Sequence, residues 1–322
     1  MAKPILPRVA VLDDYQRVAL TMADWSALAG RVKVTVFHDH LAKPAEVIKR
    51  LAPFTIVCAM RERTPLTAAI LKKLPNLKLI CSTGRRNASI DMAAAKERGI
   101  AVCYTGYTPH GASELAWAAI LGLVRNIPAE ANSVRAGKWQ VAVGGDLEGR
   151  TLGLVGLGNL GTRVAKVGQA FGMKTIAWSQ NLTGEKAAAA GVRLVTKDEL
   201  FRESDIVSIH LVLSDRSRGL VGAHEIGLMK PTAYLVNSSR GPIVDEKALV
   251  AALRKKRIAG AALDVFDTEP LPAKHPLRTL DNVLATPHIG FVTRQTYDIF
   301  YRDTVENIAG WLDGKPIRVV EG

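Results

Sequence analysis

The chain has 322 residues, 48% of them apolar and 23% charged, with a formal net charge of +13. At roughly 100–200 residues per domain this is enough for two domains with cores of their own, and the ordinary composition excludes a disordered or fibrous chain. The basic residues are scattered, with no recognition-helix pattern and no basic–aromatic interleaving, which argues against nucleic acid as a partner; the positive surplus suits anionic ligands such as a carboxylate and a pyrophosphate.

The N-terminus runs straight into a strand-like segment with no apolar h-region, so no export signal is expected. The longest fully apolar stretch, Leu115 to Val124, is about half of the ~20 residues that span a bilayer. No membrane partner is expected, and a cytoplasmic location follows. Strand-like runs come first as RVAVLDD, KVTVFHD, TIVCAM, LKLICST and IAVCYT, with amphipathic segments such as PAEVIKRLAP and AAILKKLPN between them. Such alternation predicts parallel sheets covered by helices, an α/β protein. Cys58, Cys81 and Cys103 sit in three of these runs without a CxxC spacing, so they read as small buried hydrophobes, and no metal site is expected.

From about Thr108 to Ala136 the sequence predicts one long helix, apolar on nearly all faces at its centre and therefore buried. The Gly-rich stretch VGGDLEGR then leads into a second series: TLGLVGLG, KTIAWS, DIVSIHL, AYLVNSS, GAALDVF and NVLATPH. A last helix is expected from Thr293 to about Leu312. The expected division is 1–106 with 293–322 as one discontinuous domain, and 107–292 as the other.

Gly156, Gly158 and Gly161 form a GxGxxG between a strand-like run and an amphipathic helix, the context that makes this motif informative. The first glycine permits the tight turn, the second lets backbone approach a pyrophosphate, and the third allows close helix–strand packing. Asn159 and Leu160 open the helix, whose free N–H groups and dipole favour phosphate. About 20 residues on, where a carboxylate usually binds the ribose hydroxyls, this chain has Ser179 followed by Gln180; the next acidic residue is Glu185. Without that carboxylate nothing repels a 2′-phosphate, so the cofactor is expected to be NAD or NADP. NADP is expected to be tolerated, with the preference left open.

Several motifs in order, GLGNLG, MKPTAYLVNSSRGPIVDEKAL, LDVFDTEPLPAKHPL and ATPHIG, resemble the D-2-hydroxyacid dehydrogenases over nearly the whole chain. The resemblance implies two doubly wound parallel-sheet domains: a Rossmann dinucleotide-binding domain and a flavodoxin-like substrate domain. It also implies a homodimer joined through the cofactor domains, with Trp117, Trp139 and the long apolar helix as candidate contributors. Its reaction centre maps onto Arg240, Glu269 and His288. The chemistry agrees. Reducing a 2-keto acid requires a proton for oxygen, and histidine is the natural donor near neutrality. A carboxylate beside it favours the imidazolium and orients the ring. An arginine supplies fixed positive charge for the substrate carboxylate and carbonyl oxygen.

The resemblance further places His210, Leu211, Asn237, Ser238, Ser239, Asp264 and Gly290 along the cofactor, with Asp264 near the nicotinamide carboxamide. Val212 stands where the family usually has proline. In the first domain, Gly84 to Asp91 matches the family's carboxylate-binding GxGxxxxD loop, except that Arg86 replaces the second glycine. Backbone donation from Arg85 and Arg86 is still possible. Their guanidiniums either favour larger or doubly charged acids, or turn to solvent or to acids such as Glu114. The chain ends soon after its last helix, so no serine-type regulatory domain is expected. Other readings stay open: a phosphite dehydrogenase, and a dinucleotide-sensing corepressor-like binding protein. Formate dehydrogenase fits less well, because Glu269 stands where that enzyme has Gln.

Overall fold

The computed structural model describes residues 6–320; the extreme ends of the expected division, 1–5 and 321–322, lie outside them. The chain forms two compact units, Met1–Thr108 with Val292–Gly322, and Pro109–Phe291.

The first unit is built on five short strands, β1 (Arg8–Val11), β2 (Lys33–Val36), β3 (Ile56–Ala59), β4 (Leu79–Ser82) and β5 (Ala101–Tyr104). All pair in parallel, in the order β2-β1-β3-β4-β5. β3 and β4 are buried at every residue; they are continuous apolar runs because both faces of a parallel sheet are covered. Helices α1 (Pro44–Leu51), α2 (Ala68–Leu71) and α3 (Met92–Glu97) connect them. Cys58, Cys81 and Cys103 occupy matched register positions on β3, β4 and β5, and all three are buried free thiols. Burial pushes the Cys103 thiol up to about 11, so it packs as a small hydrophobe, as expected.

In the second unit the expected single helix is two: α4 (His110–Val124) and α5 (Ile127–Arg135). Asn126 between them is left-handed, at φ +50°. Pro128 explains the break. It has no N–H to give, and its ring clashes with the carbonyl four residues back, so it is tolerated in a first turn and not in an interior. Asn visits the left-handed region more readily than most residues. α4 is buried along much of its length, as expected. Trp117, expected as an interface contributor, is instead core. It is 6% exposed, donates from Nε1 to the Val164 carbonyl at 3.3 Å and packs against Phe171. Trp139 is 73% exposed.

The elements that follow are β6 (Thr151–Val155), α6 (Asn159–Ala170), β7 (Lys174–Trp178), α7 (Gly184–Ala189), β8 (Arg193–Leu194), α8 (Lys197–Glu203), β9 (Ile206–Ile209), α9 (Ala223–Leu228), β10 (Tyr234–Asn237), α10 (Glu246–Arg254), β11 (Gly260–Leu263) and β12 (Val283–Ala285). The strands form one parallel sheet, β12-β11-β10-β9-β6-β7-β8. β8 has two exposed residues and no apolar run to announce it. Strand order reverses between β6 and β9, the switch point at whose carboxyl ends open α/β sheets bind ligands. The last helix, α11 (Arg294–Leu312), belongs to the first unit. Thr293 caps it, Asn307 donates to the Tyr104 carbonyl, and Asp303 accepts from the Gly106 N–H. Among the described residues no helix is long and apolar enough to cross a membrane.

Candidate active site

At the switch point the three glycines have separate physical reasons. Gly156 is at φ +102°, and a Cβ there would lie 2.6 Å from the His210 carbonyl oxygen. A Cβ on Gly161 would lie 2.2 Å from the Gly156 carbonyl oxygen, so the turn and α6 touch through backbone alone. A Cβ on Gly158 would meet nothing within 4 Å. Gly158 is also the N-cap of α6 and makes no side-chain cap bond, so the first turn, with Asn159 and Leu160, keeps donors free. The arrangement is an open cradle backed by closely packed backbone, and it fits the pyrophosphate of a dinucleotide.

Ser179 and Gln180 follow β7, whose Trp178 pairs with Val155 beside the cradle; Ser179 is half-buried and Gln180 exposed. Leu211 packs within reach of Gly156. His210 shares a hydrogen bond with Ser208 Oγ at 2.9 Å, and desolvation lowers its imidazole to about 4, so the ring is neutral.

Beyond β10 and β11 the structure brings the expected reacting residues onto neighbouring loops. His288 Nδ1 lies 2.6 Å from Glu269 Oε2, and Glu269 Oε1 accepts from the Phe266 N–H at 2.9 Å. The glutamate is thus fixed from behind while it holds the imidazole. With Nδ1 committed, Nε2 is the remaining nitrogen, and it has no hydrogen-bond partner among the described residues. The His288 side chain is 19% exposed. Its backbone is left-handed, at φ +52°. Strained backbone of this kind costs on the order of 1–3 kcal/mol and persists only where surroundings impose it.

Arg240 follows β10 on the Asn237–Arg240 turn. Its Nη1 donates to the Ser239 carbonyl at 2.7 Å. Asn237 is 1% exposed; it accepts from the Ser239 N–H and donates to the Arg240 carbonyl. Ser239 Oγ donates to the Ile209 carbonyl at 2.8 Å. The side chains of Asn237 and Ser239, expected along the cofactor, are therefore engaged in building this turn. Ser238 is half-buried. Gly241, inside the NSSRG motif but given no role by it, lets the turn approach the Glu269 loop: a Cβ there would fall 2.1 Å from the Phe266 carbonyl carbon.

Asp264, expected beside the nicotinamide, is 4% exposed and accepts three hydrogen bonds from the His288 loop. They come from Thr286 Oγ1 at 2.6 Å and from the N–H groups of Ile289 and Gly290 at 2.8 Å each. Burial pushes its carboxyl upward while those donors favour the ionised form. Thr286 lies inside the ATPHIG motif, two residues before His288, but the motif gives its hydroxyl no role of its own.

In the first unit, Gly84 stands at φ +81° with the Arg61 side chain packed over it. The Gly84 N–H is taken by Thr105 Oγ1 at 2.9 Å. The backbone N–H groups of Arg85 and Arg86 have no partner among the described residues. Arg85 lies over the Tyr104 ring, 5.6 Å from its centroid. The Arg86 side chain is exposed, and Asp91 caps α3. Among the described residues no group of three or more His, Cys, Asp or Glu side chains is placed to hold a metal ion.

Comparison with known proteins gives a consistent picture. The model of the D-isomer specific 2-hydroxyacid dehydrogenase NAD-binding domain matches residues 117–290. A glyoxylate reductase from Aeropyrum pernix is 40% identical over 256 residues, 76% of each chain. A hydroxypyruvate reductase from Thermotoga maritima is 36% identical over 306 residues, 94% of this chain and 97% of its own. The crystal structure of a phosphoglycerate oxidoreductase from Vibrio cholerae aligns with a TM-score of 0.91 at 37% identity, covering 96% of this chain and all of that one. The chain spans about half the length of the D-3-phosphoglycerate dehydrogenases it matches. With a dinucleotide cradle and a histidine–glutamate pair on one sheet, the chain belongs to the D-isomer specific 2-hydroxyacid dehydrogenase family, as an NAD(P)-dependent oxidoreductase of 2-hydroxy and 2-keto acids.

Proposed function

We propose that the enzyme reduces a short 2-keto acid of the glyoxylate or hydroxypyruvate type, with His288 as the general acid. The observation that carries the acid–base role is the 2.6 Å contact between His288 Nδ1 and Glu269 Oε2, which leaves Nε2 to face a substrate oxygen. The similarity to a glyoxylate reductase and a hydroxypyruvate reductase supports the short acid. Glu269 stabilises the charged imidazole and fixes its orientation. Arg240 binds the substrate carboxylate and polarises the carbonyl. The free N–H groups of Arg85 and Arg86 suit an anionic group, and the first unit is the candidate substrate domain. Its strand order, 2-1-3-4-5, supports the flavodoxin-like reading.

Gly156, Gly158, Gly161 and the start of α6 would hold the pyrophosphate, and Ser179 and Gln180 would meet the adenosine ribose. When bound, the nicotinamide supplies or takes up the hydride. Ser179 in place of a carboxylate supports tolerance of NADP. A kcat/KM preference for NADH above about a hundredfold, ~2.7 kcal/mol, would contradict it.

A homodimer is supported by an exposed apolar stretch on and after α5: Ile127, Val134, Trp139, Val141 and Val143, the last 98% exposed. Glu130 accepts from the Val141 and Ala142 N–H groups and holds that stretch against α5. An exposed apolar stretch of this kind is a candidate interaction surface. A light-scattering mass near 34.7 kDa, one chain, would overturn it. The three free cysteines suit a reducing, cytoplasmic setting.

The test is oxidation of NADH and NADPH with glyoxylate, hydroxypyruvate, pyruvate, phenylpyruvate and 3-phosphohydroxypyruvate, with His288→Ala in parallel. Turnover with one of the short acids that falls in the variant is expected. Preference for phenylpyruvate or the phosphorylated acid would overturn the substrate reading.

A further inference from the structure

We infer that Asp264 and Thr286 form a positioning clamp for His288, a role that Asp264 would have in addition to any contact with the cofactor. The inference rests on the acid–base reading of His288. The three donors to Asp264 flank the histidine on both sides, two residues before it and one and two after it. Oδ1 takes Thr286 Oγ1 and the Ile289 N–H; Oδ2 takes the Gly290 N–H. Three of the carboxylate's about four accepting sites are thus taken by the His288 loop. Gly290 permits the approach, because a Cβ on it would stand 3.2 Å from Asp264 Oδ2. The loop closes on itself as well, with the His288 N–H donating to the Thr286 carbonyl at 3.0 Å.

This explains how a left-handed histidine is held. Neither Asp264 nor Thr286 is hydrogen-bonded to the imidazole, yet together they fix the backbone on each side of it. The ring then reaches Glu269 through Nδ1. Releasing one end of the loop would let His288 relax toward ordinary backbone and withdraw from Glu269. A misplacement of about 1 Å at a reacting group can cost about a hundredfold in rate.

Thr286→Val removes the hydroxyl at nearly constant volume, and Thr286→Ser keeps it. The readouts are kcat, the Kd for NADH, and the downfield proton of the His288–Glu269 hydrogen bond in the free enzyme, assigned with Glu269→Gln. For Thr286→Val, kcat is expected to fall about tenfold or more, with the cofactor Kd within about twofold. The downfield proton is expected to be lost, and Thr286→Ser to restore both it and kcat. Asp264→Asn, which keeps the shape but loses an acceptor, is the second variant should Thr286→Val not fold by circular dichroism. It is expected to lose the same proton. An unchanged downfield proton in a folded variant overturns the clamp, as does a loss confined to cofactor Kd. His288→Ala, run alongside, separates the two ideas: full turnover there overturns the acid–base reading, whatever the proton signal shows.

Discussion

The cradle at Gly156–Gly161 and the loop at Thr286–Gly290 are both turns at carboxyl ends of one parallel sheet, and they are built by opposite means. The cradle is made by leaving side chains out: backbone meets backbone at Gly156, Gly161 and His210. The histidine loop is made by adding them. Asp264, Thr286 and Glu269 hold a residue that is left-handed without being glycine. Binding a phosphate requires N–H donors and space, which any chain offers if nothing fills it. Moving a proton requires one atom in one place, which takes several side chains to fix.

The sharpest way to separate the two regions is Glu269→Gln. The amide keeps hydrogen-bonding capacity but loses the charge that stabilises an imidazolium. A fall of about a hundredfold in kcat, ~2.7 kcal/mol, is expected with the cofactor Kd little changed. Matched losses in kcat and Kd would show that the regions are not independent.

A second measurement uses the neutral His210 in the cradle wall. Its folded value, about 4, lies below the ordinary 6.5, so it contributes stability that is present above pH 6.5. Below that the unfolded chain binds the proton first, and stability declines as pH falls toward 4. Between pH 7 and pH 5, His210→Asn should lose about 1–2 kcal/mol less stability than the native chain in urea unfolding. Equal slopes would show that the ring is not desolvated.

The smallest effect is expected from Gly161→Ala. Its Cβ would press on the Gly156 carbonyl and shift the turn against α6. The NADH Kd should rise about tenfold, ~1.4 kcal/mol, with kcat at saturation largely kept. A loss in kcat instead would make the cradle part of the proton machinery.

These two regions also differ in how far the sequence reveals them. Leaving side chains out is visible in a sequence, because glycines at fixed spacing between a strand and a helix mark a place where backbone must pass close to backbone. His288, Glu269 and Arg240 are visible as residue types within motifs, and the His288–Glu269 contact follows from them. Thr286 and Gly241 stand inside the same motifs, but their roles are not visible. Each matters through one neighbour distant in sequence, Asp264 for one and Phe266 for the other. The resemblance places Asp264 and Asn237 along the cofactor; that their side chains also tie loops together inside the protein is seen only in the structure.

The same division runs through the fold. Apolar runs and helical periodicity by themselves determined the alternating α/β architecture and eleven of the described strands, β8 excepted, because burial on both faces of a parallel sheet writes itself into the central strands as continuous apolar runs. What tertiary structure alone decided were the break at Asn126, the burial of Trp117 against Phe171, and the clamp around His288. Each depends on which distant atom stands nearby, and periodicity holds no record of that.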